Sequence, residues 1–170
     1  MQLSNFTGKT IAIMVASGFD EDIFIAIQRA MMSVNAKLRV ISRDAGLTNA
    51  WNGSGWGMSY PVDSTLSTTL AIDYDALIIP SGEKHVTTLV PEAHAKRLMR
   101  AFTREEMPVL LLGEATMLLD LVDAAAPARD DETGVGADGR LVVAARENLD
   151  AALQALNSAM LADDDESVAA

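Results

Sequence analysis

Residues 73–82 read DYDALIIPSG, a short apolar run that ends at a proline and a small-residue turn. Within this stretch, residues 74–80 have the length of a strand, and the apolar side chains are consecutive rather than alternating. A run of this kind is typical of a buried strand in a parallel sheet. The runs KTIAIMVA at residues 9–16 and VLLL at residues 109–112 have the same character. The sequence therefore predicts several buried, parallel strands.

Helical patterns separate these strands. Apolar residues recur at spacings of three and four between residues 23 and 34, which predicts a helix that packs on a sheet. Pro91 opens a second helix, and another begins near Asn148. Further strands are predicted at residues 38–41 and 141–145. Strands that alternate with helices predict an α/β fold, a three-layer α/β/α sandwich of flavodoxin-like type with a mostly parallel sheet.

The rest of the chain is predicted to be less regular. Residues 45–57 and 124–136 are loop-like, and residues 81–85 form a loop after the third clear strand. The length allows one compact domain, residues 1–162. The acidic run that follows predicts a solvated, disordered tail over residues 163–170.

Composition excludes several classes of function. The 170 residues contain no cysteine, which excludes disulfides, thiolate metal ligands and thiol nucleophiles. The formal net charge of -11 disfavours nucleic acid as a partner, because an acidic chain repels phosphate backbones. No apolar run reaches membrane-spanning length, and residues 1–9 do not read as a secretory signal. We therefore expect no membrane partner and a cytoplasmic location.

Three segments, in the correct order, resemble the ThiJ/PfpI family. Residues 11–21, IAIMVASGFDE, are similar to the opening strand and acid-bearing turn of that family, which usually reads G-F-E-E. Residues 73–82 resemble its DYDALVIPGG strand and turn. Residues 108–115, PVLLLGEA, lie where the family has a strand ending in a cysteine elbow, typically PVAAICHG. The resemblance implies the fold of the class I glutamine amidotransferase-like superfamily.

The C-terminal domain of the large-subunit catalases is a closer match. Those domains have lost the cysteine, and their elbow strand commonly reads PIALAGDA, which resembles residues 108–115 position for position. Residues 61–76 also resemble the segment before the third strand of those domains without a gap. We expect no haem-binding catalase domain ahead of Met1, so the resemblance would imply a free-standing relative.

The resemblance also implies a vestigial pocket. Gly113 stands at the position of the family's cysteine, so the thiol-dependent activities of the family are expected to be absent. Asp20 matches the family's glutamate, and Glu114 matches the histidine beside the cysteine. His85 also follows a predicted strand, and such strand ends meet at one edge of a parallel sheet. The two carboxylates could share a proton, or hold a divalent metal together with the histidine. The alternative is that each is a solvated loop residue, and we predict no metal and no cofactor.

Four further residues are candidate ligand contacts. Ser81 and Gly82 follow the strand at residues 74–80, and a purely structural turn is the alternative. Trp51 and Trp56, the only tryptophans, lie among glycines. Tryptophans in such a loop can cap a pocket or anchor a partner, or they can pack back over the edge of the sheet.

Three functions follow as hypotheses. The first is a non-catalytic scaffold, chaperone-like or stress-related interaction protein that forms a homo-oligomer, a dimer or larger, with a protein partner possible. The second is a small-molecule or metal-binding module at the vestigial pocket. The third is a thiol-independent hydrolase or lyase that uses carboxylates.

Overall fold

The computed structural model describes the backbone of residues 3–169 and the side chains of residues 3–162. Strands and helices are numbered in chain order. The strands are β1 Thr10–Val15, β2 Phe19–Asp20, β3 Lys37–Ser42, β4 Leu47–Trp51, β5 Trp56–Pro61, β6 Ser64–Thr65, β7 Ala76–Ile79, β8 Val109–Leu112, β9 Val135–Asp138 and β10 Leu141–Ala144. The helices are α1 Glu21–Ser33, α2 Glu83–Leu89, α3 Ala93–Arg104 and α4 Leu149–Ala169, and the longest 3-10 segment is Gly113–Val122.

The central sheet has seven strands in the order β6-β3-β1-β7-β8-β10-β9. Neighbouring strands are parallel except β10 and β9. The side chains of β1 alternate between two apolar cores, because this strand is buried on both faces. One core joins the sheet to α1 and α4, and the other joins it to α2, α3 and the segment Gly113–Val122. The predicted α/β/α sandwich with a mostly parallel sheet is confirmed.

A second, smaller sheet consists of β2, β4 and β5. Strands β4 and β5 form an antiparallel hairpin, and the side-chain oxygen of Asn52 accepts hydrogen bonds from the backbone N–H groups of Ser54 and Gly55 in its turn. The prediction of a loop over residues 45–57 is therefore wrong. The apolar pattern is weak there because the buried residues of β4 are small: Thr48 and Ala50.

Other boundaries also differ from the sequence-based expectation. Helix α2 occupies most of the region expected to be a loop after β7, and α3 begins just after Pro91. Strand β9 overlaps the end of the loop predicted at residues 124–136. Helix α4 begins at Leu149, as the pattern near Asn148 predicted.

Within residues 3–169, no helix is long and apolar enough to cross a membrane. The backbone of α4 continues to Ala169. The side chains beyond Ala162, and all of residue 170, lie outside the described part of the chain. The disordered acidic tail and the domain boundary at residue 162 therefore stay predictions.

Candidate functional site

The turn after β8 is the centre of the candidate site. Gly113 begins the segment that follows this strand and has φ +54, a left-handed conformation that L-residues with a side chain adopt at a cost. A Cβ atom built on Gly113 would lie 2.9 Å from the Cβ atom of Ser81. Ser81 is fully buried. Both the backbone conformation and the neighbouring side chain therefore disfavour any side chain at residue 113.

Ser81 belongs to a hydrogen-bond network that passes through Asp20 and ends at Arg146. Its hydroxyl donates a hydrogen bond to Oδ2 of Asp20, and the backbone N–H of Asp20 donates to the carbonyl oxygen of Ser81 at 3.0 Å. The same Oδ2 accepts a hydrogen bond from Nε of Arg146 at 3.0 Å. Asp20 follows the buried end of β1, whereas Arg146 follows the end of β10. This network therefore joins the ends of two separate strands of the sheet, and the complete burial of Ser81 keeps its hydroxyl out of reach of a substrate.

Glu114 is held by the same turn. Its Oε1 accepts a hydrogen bond from the backbone N–H of Gly82 at 3.1 Å. Gly82 has φ +132, and a Cβ atom there would lie 2.8 Å from the carbonyl oxygen of Gly18, so only glycine fits. Asp20 and Glu114 thus each bind a different part of residues 81–82. Among the described residues no hydrogen bond joins the two carboxylates, so the predicted shared proton has no direct path between them.

His85 lies beneath the cleft rather than in it. Its Nδ1 accepts a hydrogen bond from the backbone N–H of Ala16 at 3.3 Å, and its Nε2 donates to the carbonyl oxygen of Pro80 at 2.6 Å. Burial lowers the pKa of His85 to about 4, although the bond to Pro80 and the nearby carboxylates of Asp20 and Glu114 act in the opposite direction. His85 therefore does not line the cleft with these acids, because the backbone occupies both of its ring nitrogens.

The space in front of this turn is a cleft of about 760 Å³. Its lining is strongly charged. Four acids, Asp20, Asp22, Glu83 and Glu114, and two cations, Lys84 and Arg146, contribute to the lining. A cleft with this lining suits a polar ligand with charged groups better than an apolar one.

Of the two tryptophans, only Trp51 lines the cleft. Nζ of Lys84 lies 4.8 Å from the centre of the Trp51 ring, a cation–π contact. Trp56 packs edge-on against Trp51 with ring centres 5.4 Å apart, and its outer face is exposed. Ser81 also does not line the cleft, whereas Gly82 does. The hairpin therefore forms one wall of the cleft through Trp51 and presents Trp56 outward.

The described side chains contain no group of three or more histidine or acidic residues arranged to hold a metal ion. The functional residues that the sequence analysis missed are Lys84 and Arg146. Arg146 could have been found by the rule that located Asp20 and Glu114, because it follows the C-terminal end of a strand in the parallel sheet. Lys84 carried the same signal, because it lies between Gly82 and His85 after the C-terminal end of β7.

Comparison with known proteins agrees with this architecture. A ThiJ/PfpI domain protein from Brachyspira murdochii superposes with a TM-score of 0.76 at 16% identity, over 92% of this chain and 98% of that one. A DJ-1 superfamily protein from Agrobacterium tumefaciens gives a TM-score of 0.68 at 19% identity, over 91% of this chain and 89% of that one. At these identities the likeness shows the fold alone.

A two-domain protein from Anabaena variabilis, with DJ-1/ThiJ/PfpI-like and ferritin-like domains, gives a TM-score of 0.76 at 17% identity. The match covers 88% of this chain but only 47% of that protein, so this chain spans about half its length. No curated protein matches this chain. The family itself is shown by the sequence, because residues 9–129 match the DJ-1/PfpI family. The chain therefore belongs to the DJ-1/PfpI family.

Proposed function

We propose that this chain is a non-catalytic member of the DJ-1/PfpI family that works as a self-associating interaction protein. The observation that carries the non-catalytic part is the Cβ position of Gly113, which lies 2.9 Å from the side chain of Ser81. By the resemblance described above, residue 113 stands at the nucleophile position and Ser81 replaces a glycine of the family's turn. The two departures are complementary, because the Cβ methylene group of Ser81 occupies space that a side chain at residue 113 would need.

The remaining polar groups at the turn are engaged in holding the structure together. The carboxylate of Asp20 accepts hydrogen bonds from Ser81 and Arg146, and that of Glu114 accepts one from the backbone of Gly82. A general base must have a lone pair directed at its substrate. These contacts give Oδ2 of Asp20 and Oε1 of Glu114 a structural role, so the choice of the non-catalytic proposal over a carboxylate hydrolase or lyase rests on Gly113.

The hairpin β4–β5 supports the proposed self-association. Trp56 is 58% exposed and Met58 is 68% exposed, and Leu47 on the facing strand is exposed as well. The hairpin is fixed to the body of the protein because Oε2 of Glu21 accepts hydrogen bonds from the N–H of Met58 at 2.7 Å and the hydroxyl of Tyr60 at 3.1 Å. Large apolar side chains on a fixed surface favour protein contacts.

A groove of about 300 Å³ extends this apolar surface. It lies beside the end of β5, and its lining includes Met32, Tyr60 and Pro61. Met32 is itself an exposed methionine on α1. Methionine side chains adapt to different partner surfaces, so the groove and the hairpin, which share strand β5, form a candidate interface for a second copy of the chain.

The double variant Trp56→Ala, Met58→Ala is expected to weaken self-association by about tenfold or more, because each lost apolar contact is worth roughly 1–2 kcal/mol when buried. Sedimentation velocity over a range of protein concentrations measures the change. Met117→Ala, which removes another exposed methionine away from the hairpin, is the matched control. A wild-type chain that remains monomeric at every concentration would refute the proposed self-association.

The resemblance to the C-terminal domain of large-subunit catalases supports the same kind of role, since it implies a domain tethered to an oligomer. That closer relationship and a cytoplasmic location remain part of the proposal. Neither is required by the interface described above.

Ligand binding in the cleft is a second candidate function, and Arg146 is the observation that favours it. Only Nε of Arg146 is bonded, so within the described part of the chain the two terminal amino groups of its guanidinium have no partner. A guanidinium with free amino groups binds carboxylates in a fixed geometry. Lys84 supplies a second cation in the same cleft. The favoured ligand is therefore a small molecule that carries a carboxylate for these cations and an amino group for the acids of the cleft.

A small zwitterion such as β-alanine is expected to raise the melting temperature of the wild-type protein by roughly 5–10 °C at about one hundred times its dissociation constant. Arg146→Gln should remove most of this shift, measured against the melting temperature of that variant without ligand. Arg129→Gln removes an exposed arginine that does not line the cleft, and it should keep the shift. An equal shift in all three proteins would exclude Arg146 as the anchor.

A further inference from the structure

Helix α3 carries an unusual concentration of positive charge for so acidic a chain. The chain has 13 lysine and arginine residues and a formal net charge of -11. Four of these cations, Lys96, Arg97, Arg100 and Arg104, lie on α3, which contains no acidic residue. The opposite side of the helix is buried through Ala95, Leu98, Met99 and Phe102. The cations therefore form one basic strip on the outer side of α3.

The basic strip borders a groove with apolar side chains. The groove has a volume of about 480 Å³ and lies between α3 and residues 70–72. Its lining includes Leu70, which is 53% exposed, and Ile72, which is 75% exposed. An exposed apolar pair beside several cations suits a partner segment that combines acidic and small apolar residues.

Arg97 fixes the shape of this groove. Its terminal amino group Nη2 donates hydrogen bonds to the carbonyl oxygens of Leu66 at 2.7 Å and Thr69 at 3.0 Å. These bonds tie the turn before residues 70–72 to α3. By contrast, Lys96 and Arg100 make no hydrogen bond or ion pair with any of the described side chains. The groove is therefore preorganised, and two of its cations are available to a partner.

The chain itself contains a segment with the complementary chemistry. Residues 163–166 are Asp-Asp-Asp-Glu, flanked by Leu161 and Ala162 and followed by Ser167, Val168 and Ala169. The backbone of this acidic run belongs to helix α4, whose buried side chains pack on the opposite face of the central sheet from α3. The run and the groove of one molecule thus belong to different layers, which favours pairing between molecules.

We propose that the groove between α3 and residues 70–72 binds the acidic run 163–166 of a second copy of the chain. This contact rests on the proposed self-association and adds an electrostatic interface to the apolar one at the hairpin. The two differ in their response to salt. Exposed charge pairs are screened as the Debye length falls from about 30 Å at about 0.01 M salt to about 3 Å at about 1 M, whereas apolar contacts are not.

The test is a charge exchange in the full-length chain. Lys96→Glu with Arg100→Glu reverses the groove, and Asp164→Lys with Asp165→Lys reverses the acidic run. Each double variant alone is expected to weaken self-association at about 0.01 M salt by about tenfold or more. An equimolar mixture of the two variants should restore association, because each now carries the complement of the other. Sedimentation velocity on the two variants and their mixture gives the dissociation constants.

Arg129→Glu reverses an exposed cation that lines neither groove and should leave association at low salt unchanged. The proposal is overturned if the groove variant associates like the wild type, if the acidic-run variant does, or if the mixture fails to recover. It is also overturned if the wild type is monomeric at low salt, as it would be if the run bound within its own molecule. Association at about 1 M salt reports separately on the hairpin, so failure of one interface is distinguishable from failure of the other.

Discussion

Gly113→Ala is expected to destabilise the fold by about 3 kcal/mol, roughly twice the cost of the same change at Gly139. Both glycines have left-handed backbone conformations, with φ +54 and φ +60, and this conformation costs a residue with a side chain about 1–2 kcal/mol. At Gly139 no atom lies within 4 Å of the new Cβ atom, whereas at Gly113 it meets Ser81 at 2.9 Å. Overpacking of this kind adds about 1–3 kcal/mol. Urea unfolding of both variants gives the difference.

Ser81→Gly completes a double-mutant cycle with Gly113→Ala. On its own it should be destabilising, because it removes the hydrogen bond to Asp20 and adds backbone freedom. Combined with Gly113→Ala it should cost less than the sum of the two single changes, with a coupling of about 1–3 kcal/mol. Additive effects would mean that Ser81 does not close the nucleophile position, and the proposal of a non-catalytic site would lose its main support.

Acid pH is expected to destabilise the wild-type protein more than a His85→Gln variant. The pKa of His85 is about 4 in the fold, below its usual value of 6.5, so the unfolded chain binds more protons between these values. The stability that depends on neutral His85 is fully present above about pH 6.5 and is lost as the pH falls towards about 4. Between about pH 7 and about pH 5, the wild type should lose about 2 kcal/mol more than the variant.

Glutamine is a suitable replacement because it offers both a donor for the carbonyl oxygen of Pro80 and an acceptor for the N–H of Ala16. Urea unfolding at the two pH values provides the measurement. Ile79→Val, a buried change that costs about 1 kcal/mol without removing a titratable group, controls for general loss of stability. Identical pH dependence in the wild type and in His85→Gln would show that the histidine titrates alike in both states.

The buried strands were the part of the fold most readily predicted from the sequence. Strands β1, β7 and β8 are covered on both faces, so their residues form continuous apolar runs with no other stable location. The hairpin β4–β5 was not predicted, because the buried residues of β4, Thr48 and Ala50, are small and give no strong apolar pattern. Its stability comes from tertiary contacts, such as the one between Glu21 and Tyr60, which a local pattern does not contain.

Part of the candidate site was predictable, because the ends of the buried strands were predictable. Strand ends placed Asp20, Gly82 and Glu114 at one edge of the sheet, and all three line the cleft. The position of His85 could not be derived in this way, because whether a residue after a strand points into a cleft or into the core depends on how its helix packs. Helix α2 turns His85 inward against Phe19. A strand end therefore predicts location but not the direction of a side chain.

The hydrogen bond between Asp20 and Arg146 joins residues 126 positions apart in the chain, so it bears on the order of folding as well as on the folded structure. Contacts between residues this far apart form late, because a long segment must be ordered before its ends can meet. During synthesis, Asp20 leaves the ribosome long before Arg146 exists, and the chain grows at about 5–20 residues per second. For the seconds in between, the carboxylate of Asp20 lacks its cation. We therefore expect the cleft to form late in folding, when β10 has paired with β8.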